Sequence, residues 1–497
     1  MRFFPQIFLQ WGVQLSGSTL VNVCYHTRME NITPSDDFKL AMEEPRAAGE
    51  DKTAARRGEG SAGPAASPVR LRTPERRQMA WVGQCLDDLV PAGHSVRRLW
   101  EVVEHLDLSG FYAPIKAREG VVGRDTTDPQ LLVALWLYAC VRGIGRAREV
   151  ARQCEENIAF RWLCGGVTVN YHLLSDFRTA HEEALDALFT QVIATLVDKG
   201  VVKVRRISQD GVRIRVGAGA SSLRGEERLQ QLLGEAQQHV QELRRQGEGP
   251  EAAALTARQR AARERAAREQ QQRLEEAIAQ LPEVKKRHEE AVKRAGRGRQ
   301  GKKARKREPR VSTTDAEARV MKMSNGGFNP AANVQLAADT ESRAVLAVEV
   351  CNEGSDNVGL STPMRAQVEA RTGGQVQEHL LDGGYVRYQD IDDAAEQAVA
   401  IYMPPKGATN PARRGHELDP KPDDSEAVKA WKQRMRSAEG KQIYKQRAAT
   451  SETINADLRT FRGLGQITVR GLRKIRCVAL WSALAYNLMH FGGALLT

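Results

Sequence analysis

The sequence predicts an α/β protein: a mixed-sheet core, an all-α domain before it and a charged helical hairpin interrupting it. Three observations carry that reading. Up to about residue 200 the apolar side chains recur at helical spacing. From Val201 the period falls to two, and strand and helix signals then interleave as far as Met403, which suits a mixed sheet flanked by helices. Between Ser222 and Arg310 the chain carries 23 Lys/Arg against 14 Asp/Glu and no Phe, Trp or Tyr.

Residues 1–78 read as a disordered tail or a mis-assigned start. Pro5, Gln6, Gln10 and Gln14 interrupt what would otherwise be an apolar signal segment, and Glu43–Gln78 holds only Val69 and Leu71 as bulky apolar residues. Residues 79–200 read as the helical domain. Asp128 is a good N-cap and Pro129 suits a first helical position. Leu131, Leu135 and Tyr138 follow as a stripe, widened by Ala134 and Val141, and Gly143 and Gly145 end the helix. A second helix runs from Ala147 to Leu163 with Val150, Cys154, Ile158 and Trp162 inward. A third follows Tyr171, with Leu173, Phe177, Leu185, Leu188, Val192 and Leu196 inward. Trp136, Phe160, Trp162 and Phe177 read as core.

Residues 201–222 and 312–475 read as the sheet core. Val202 and Val204, then Val212, Ile214 and Val216, alternate as strands do. Asn333–Ala338 and Ala344–Cys351 form a hairpin round Asp339–Arg343. A helix (Pro363–Arg371), a strand (Glu378–Asp382), a helix (Tyr388–Gln397) and a strand (Val399–Met403) follow, with helices from about Glu426 and a closing helix over 476–497. Residues 223–311 form the interruption. Leu229, Leu233, Ala236, Val240 and Leu243 make a heptad seam, which Leu274, Ile278 and Leu281 resume after the turn signal Gln246–Pro250. Two such helices fold back as a coiled-coil-like hairpin, the first (Gly225–Arg245) about 30 Å long. Its tail, Lys285–Arg310, holds 13 basic residues against 3 acidic, a polyanion-attracting block or a solvated spacer.

Composition excludes several classes. The net charge is +12 and 41% of residues are hydrophobic, enough for real cores. The longest apolar runs, Leu131–Val141 and Cys477–Met489, fall short of the roughly 18–20 residues of a membrane span. Seven cysteines without a C-x-x-C pair fit a reducing cytosol, not a disulfide scaffold. Gly296–Lys303 (GRGRQGKK) lacks the Ser/Thr and the preceding strand of a P-loop. Cys154, Cys164, His172 and His181 match no zinc spacing.

The chemistry-bearing candidates are carboxylates. Asp210 and Asp382 each stand where a strand signal meets glycine, the place where an α/β sheet presents a site. Glu452 lies in a helical stretch. Two strand aspartates and one helical acid suit two Mg²⁺ ions, which prefer a few carboxylates and leave room for phosphate oxygens. Asp339 and Asp356 are alternatives for the second acid. Arg142, Arg146 and Arg148 cluster after the first strong helix, as a helix-turn-helix-like DNA contact or a solvated face.

Four ordered motifs then carry a resemblance: QDGVRIRVGAGASS (Gln209–Ser222), NVQLAAD (Asn333–Asp339), LLDGGY (Leu380–Tyr385) and YKQRAATSE (Tyr444–Glu452). They resemble the DDE transposases of bacterial insertion sequences, the group with an RNase H-like core and a Tyr-x-x-Arg…Glu…Lys signature. Asp128–Cys154 and Leu174–His181 look like the helical N-terminal, DNA-binding domain of the same family. The likeness covers roughly Gln84–Phe491 without most of the charged block.

The resemblance implies a metal-binding catalytic triad of Asp210, Asp382 and Glu452 holding two Mg²⁺, with Mn²⁺ as a substitute. It implies cleavage of a DNA phosphodiester by water at the element's terminal inverted repeats, then attack of the freed 3′-hydroxyl on target DNA. Tyr444 and Arg447 fall on the signature and would contact DNA, Arg447 at a phosphate. Four residues separate Arg447 from Glu452 where the family often has three, and Arg459 stands at the signature's distal Lys. A homodimer in the DNA complex and a cytoplasmic, nucleoid-associated bacterial protein without membrane contact are the further expectations. The rival readings are an inactive transposase-derived DNA-binding protein and a metal-dependent nuclease without strand transfer.

Overall fold

The computed structural model describes residues 83, 85–117, 120, 125–248, 256–296, 305–354, 359–407, 415–465 and 467–496. The readings of residues 1–78, of Asp356 and of the P-loop-like run after Gly296 fall outside the described residues. All elements named below belong to one compact unit, Gln84–Thr497.

The helical region opens with α1 (Ser95–Glu104) and α2 (Ser109–Tyr112), neither of which periodicity revealed. Helix α3 (Pro129–Val141) starts as its sequence requires: the Asp128 carboxylate accepts the Gln130 N–H, and Pro129 takes the first position. It is not amphipathic, however. Eleven of its residues are buried, including Trp136 and Leu135, so it is a core helix covered on all sides. The predicted second helix is two, α4 (Ala147–Glu156) and α5 (Ile158–Cys164), because the Asn157 side chain leaves the helix and caps α5 through the Ala159 and Phe160 N–H groups. The predicted third is likewise divided at His181 into α6 (Tyr171–Ala180) and α7 (Glu182–Asp198).

The sheet is built on β1 (Arg206–Arg215). This corrects the strand boundaries: Val204 has a φ of +56°, so Val202 and Val204 are buried ahead of the strand, not in it. Strand β2 (Leu223–Arg224) pairs with β3 (Val311–Ser312) and stands apart from the main sheet. The main sheet adds β4 (Arg319–Lys322), β5 (Phe328–Asp339), β6 (Val345–Cys351), β7 (Glu378–Leu380) and β8 (Ala400–Tyr402). On one side β1 pairs antiparallel with β5, whose other edge takes β4 and β6 in succession, also antiparallel. On its other side β1 pairs parallel with β7, and β7 parallel with β8. Helices α11 (Ser361–Thr372), α12 (Tyr388–Glu396), α13 (Glu426–Arg436), α14 (Ala438–Arg447) and α15 (Thr453–Phe461) follow in chain order.

The last helix, α16 (Leu472–Leu495), joins the two regions. Val478 to Leu488 are all buried, and Trp481 donates to the Arg178 carbonyl in α6. On its other side Asn487 takes the Val345 N–H (2.9 Å) and returns a bond to its C=O (2.8 Å), satisfying the backbone of β6. One apolar core therefore runs through helical region and sheet alike.

The charged segment packs separately. Helices α8 (Glu226–Glu248), α9 (Ala257–Ala279) and α10 (Leu281–Ala295) share a small apolar cluster of Leu229, Ala236, Leu274, Ala277, Leu281 and Val311. Arg244 pairs with Glu264 (3.6 Å) and Glu226 with Lys285 (2.7 Å), so the chain doubles back on itself. Among the described residues no helix is long and apolar enough to cross a membrane.

Candidate active site

Alternate residues of a strand share a face. On β1 these are Arg206, Ser208 and Asp210, and each meets the helical stretch that closes the core. Arg206 donates to Gln446 Oε1 (2.7 Å), and the Ser208 and Ser451 hydroxyls bond at 2.6 Å in a buried contact. Asp210 Oδ1 lies 3.1 Å from Arg447 Nη2, and its Oδ2 accepts from Asn455 Nδ2 at 3.1 Å. Asp210 is thus a mid-strand residue, correcting its expected place at a strand exit; Gly211 still belongs to the ladder, opposite Gln335.

Asp382 is brought toward it by the parallel ladder. Ser208 pairs with Leu380, the last residue of β7, and Asp210 and Asp382 each follow two residues later. Asp382 does stand at a strand exit: it is extended, and its Oδ1 takes the Gly383 N–H at 2.7 Å to open a short turn. Its Oδ2 is 3.9 Å from the same Arg447 Nη2. One guanidinium therefore faces both carboxylates. Burial works against its charge, but Asp210 and then Asp382 outweigh that and hold the Arg447 pKa above its ordinary value. Burial, with the two carboxylates adding to it against Arg447, pushes the Tyr444 phenol up to about 12. Tyr444 is then a neutral hydrogen-bond donor at any working pH.

Glu452 ends a π turn, Ala448–Glu452, between α14 and α15. In a continuous α-helix a residue five positions on is about 140° round the axis; an i→i+5 turn returns it to the face of its predecessor. The π turn so absorbs the one extra residue between Arg447 and Glu452. Glu452 stands one turn after Arg447 and one before Asn455, both of which touch Asp210. Its side chain is exposed, and among the described residues no group of three or more His, Cys, Asp or Glu is gathered closely enough to hold a metal ion. The structure joins Asp210 with Asp382 and leaves Glu452 at their margin.

Arg459 lies two turns beyond Glu452, exposed and in no ion pair among the described residues. Arg142, Arg146 and Arg148 are also exposed, with Arg148 over the Tyr171 ring at 5.0 Å. Their loop docks on the end of α15: a Cβ on Gly143 or Gly145 would sit 3.2 or 3.1 Å from the carbonyl oxygens of Phe461 and Gly463. Arg462 secures the contact by donating to the Val141 carbonyl at 2.8 Å. The basic turn of the helical region and Arg459 therefore share one neighbourhood. Asp339 is occupied elsewhere, its Oδ2 taking both the N–H and the hydroxyl of Ser342 at 2.7 Å, which is a turn role.

Sequence reasoning missed Asn455, because a single amide leaves no periodic signal. Its Oδ1 is buried and has no hydrogen-bond partner among the described residues. It also missed the polar network on the opposite face of β1, where Gln335 Oε1 accepts from Gln209 (3.1 Å) and from the Tyr385 hydroxyl.

A helical region followed by a mixed sheet with flanking helices is the arrangement of a DDE domain. Two family models match the chain, a Transposase domain (DUF772) over residues 84–180 and a Transposase DDE domain over residues 301–488. The chain belongs to the DDE transposases of the insertion-sequence type. No curated protein and no solved structure matches it. The DDE match contains Asp382, Tyr444, Arg447, Glu452 and Arg459, and the first match contains Arg142, Arg146 and Arg148, whereas Asp210 falls between the two.

The family normally uses divalent metal ions. The residues present fit one. Two carboxylates already gather round a positive charge, and the unpartnered Asn455 Oδ1 adds a neutral oxygen of the kind hard cations accept.

Proposed function

We propose that this transposase cleaves DNA at the ends of its element and joins the freed 3′ ends to target DNA, using Asp210, Asp382 and Glu452 to hold two Mg²⁺ ions. The observation that carries the reading is that the Asp210 and Asp382 carboxylates both face one guanidinium on the Glu452-bearing stretch. The strand order supports an RNase H-like core. Three antiparallel strands (β6, β5, β1) continue into two parallel ones (β7, β8), and the charged helices enter as an insertion after β1.

Bound divalent metal supplies Lewis acidity for the attacking and leaving oxygens of phosphoryl transfer. The chain's own residues do the rest. Arg447 neutralises the carboxylate pair and presents further N–H donors to a phosphate. Tyr444, kept protonated, donates beside it. Arg459 and the Arg142–Arg148 turn extend a basic surface from the site for duplex phosphates, which fix position without reading sequence. Asp210→Asn, Asp382→Asn and Glu452→Gln should each abolish strand cleavage and leave binding of element ends intact. Wild-type cleavage by Asp382→Asn would remove the second acid from the site and with it this mechanism.

A further inference from the structure

Where the charged segment meets the core there is a cavity of about 350 Å³. Arg224 and Arg228 reach it from the start of the segment, Arg273 from α9, and Arg470 from the loop before α16; Gln270 and the hydroxyl-bearing Thr313 and Thr314 complete its polar lining. Its lining includes no carboxylate. Arg224 is oriented by the Ser221 and Leu223 carbonyls (2.5 and 2.9 Å), and Arg228 pairs outward with Glu235 at 3.0 Å. Arg273 and Arg470 have no ion pair among the described residues. The nearest acids of the loop are engaged: Asp315 and Glu317 accept the Gly471 and Leu472 N–H groups at the start of α16.

Four guanidiniums with one carboxylate partner among them repel one another unless an anion joins them. Guanidinium forks and hydroxyls are the groups that recognise phosphate oxygens. Position favours a polymer over a free ion. The Ile467 N–H bonds the Arg215 carbonyl (3.1 Å), which puts Arg470 past the far end of β1. That end is five residues, about 17 Å, from Asp210. A duplex lying at the carboxylates covers such a distance within one helical turn of about 34 Å.

We infer that this cavity grips a backbone phosphate of duplex DNA outside the carboxylate centre; the inference rests on the transposase reading. The test is equilibrium binding of the full-length protein to a duplex of arbitrary sequence across a salt series. Arg273→Gln and Arg470→Gln should each lower the slope of log affinity against log salt by about 0.9, and the pair by about 1.8. Affinity at fixed moderate salt should fall about tenfold or more. Neither side chain makes a hydrogen bond in the described structure, so folding is not at stake; each single variant, checked by circular dichroism, stands alone if the double does not fold.

Arg258→Gln with Arg265→Gln, exposed on α9, is the control, and an equal loss there would overturn a localised site. An unchanged slope in R273Q/R470Q would overturn it too. So would inorganic pyrophosphate, if it stabilised the wild type but not R273Q/R470Q at concentrations that leave DNA binding untouched. A wild type that bound no DNA would instead refute the functional reading itself.

Discussion

Replacing Arg447 by Met removes a cation that Asp210 and Asp382 share while keeping the apolar stem. The Arg447 and Asp210 side chains are 11% and 17% exposed, so their contact is a largely buried, charge-assisted hydrogen bond of about 1.5–3 kcal/mol. The Asp382 contact is longer, at 3.9 Å, and that carboxylate is 49% exposed, so screening limits it to about 0–1 kcal/mol. Arg447→Met should therefore lower unfolding free energy by roughly 1.5–4 kcal/mol in EDTA at neutral pH. Lys at this position keeps the charge but loses the fork and should recover about half of that. Mg²⁺ should then stabilise the Met variant more than the wild type, because the two carboxylates no longer share the charge of Arg447. A tenfold gain in affinity corresponds to about 1.4 kcal/mol of additional stabilisation once the ion is in excess. Urea denaturation with EDTA or with Mg²⁺ measures both effects. A variant as stable as the wild type in EDTA, or equal gains from Mg²⁺, would show that Arg447 does not neutralise the carboxylate pair.

Asn455→Leu should weaken Mg²⁺-dependent stabilisation about 10- to 100-fold in ion concentration; an unshifted Mg²⁺ midpoint would confine Asn455 to packing. Replacing residues 225–310 by a short Gly/Ser link should leave the main core's unfolding midpoint in place, since the charged helices pack in their own cluster and Arg224 and Val311 are already paired neighbours. The salt dependence of DNA binding should fall in the same deletion, and an unchanged slope would assign the segment to spacing. His379 is fully buried beside Arg365, with both ring nitrogens unpartnered, and burial lowers its pKa from 6.5 to about 3. A lowered folded-state pKa contributes stability above about 6.5 that is lost as pH falls toward 3. His379→Leu should flatten that acid limb by a few kcal/mol, and parallel pH profiles of variant and wild type would refute the assignment.

Much of the fold was legible because it rests on local chemistry. Asp128-Pro129 fixes the start of α3, the polar turn Asp339–Arg343 between two strand runs gives β5 and β6, and Leu229 to Val240 give the seam of α8. What the sequence hid was decided by distant partners. Alternation continues through Val202 and Val204, yet the left-handed turn at Val204 delays β1 by two residues. The stripe of α3 suggested a solvent face, but α16, more than three hundred residues later, covers it. Asp210 and Asp382 each looked plausible alone; that one guanidinium faces them both is a property of the folded sheet, which no spacing along the chain specifies.

The Arg447-to-Glu452 interval shows how such a hidden constraint works. Counted as α-helix, the extra residue would turn Glu452 away from the face that Arg447 offers to Asp210, and the signature would be broken. The chain instead spends the extra residue in a π turn whose ends are tied down on both sides. Arg447, just before it, pairs with Asp210 of β1, and Asn455, one turn after it, bonds to the same carboxylate. With those two anchors fixed, the helix can accommodate the insertion only by widening between them, which preserves the phase of Arg447, Glu452 and Asn455 at the cost of one irregular turn. The irregular turn thus follows from the sheet contacts, and it keeps Glu452 one turn from Arg447 and one from Asn455, with its own side chain exposed. Closing that last gap requires a charge that attracts three carboxylates at once, which a single guanidinium shared by two does not provide.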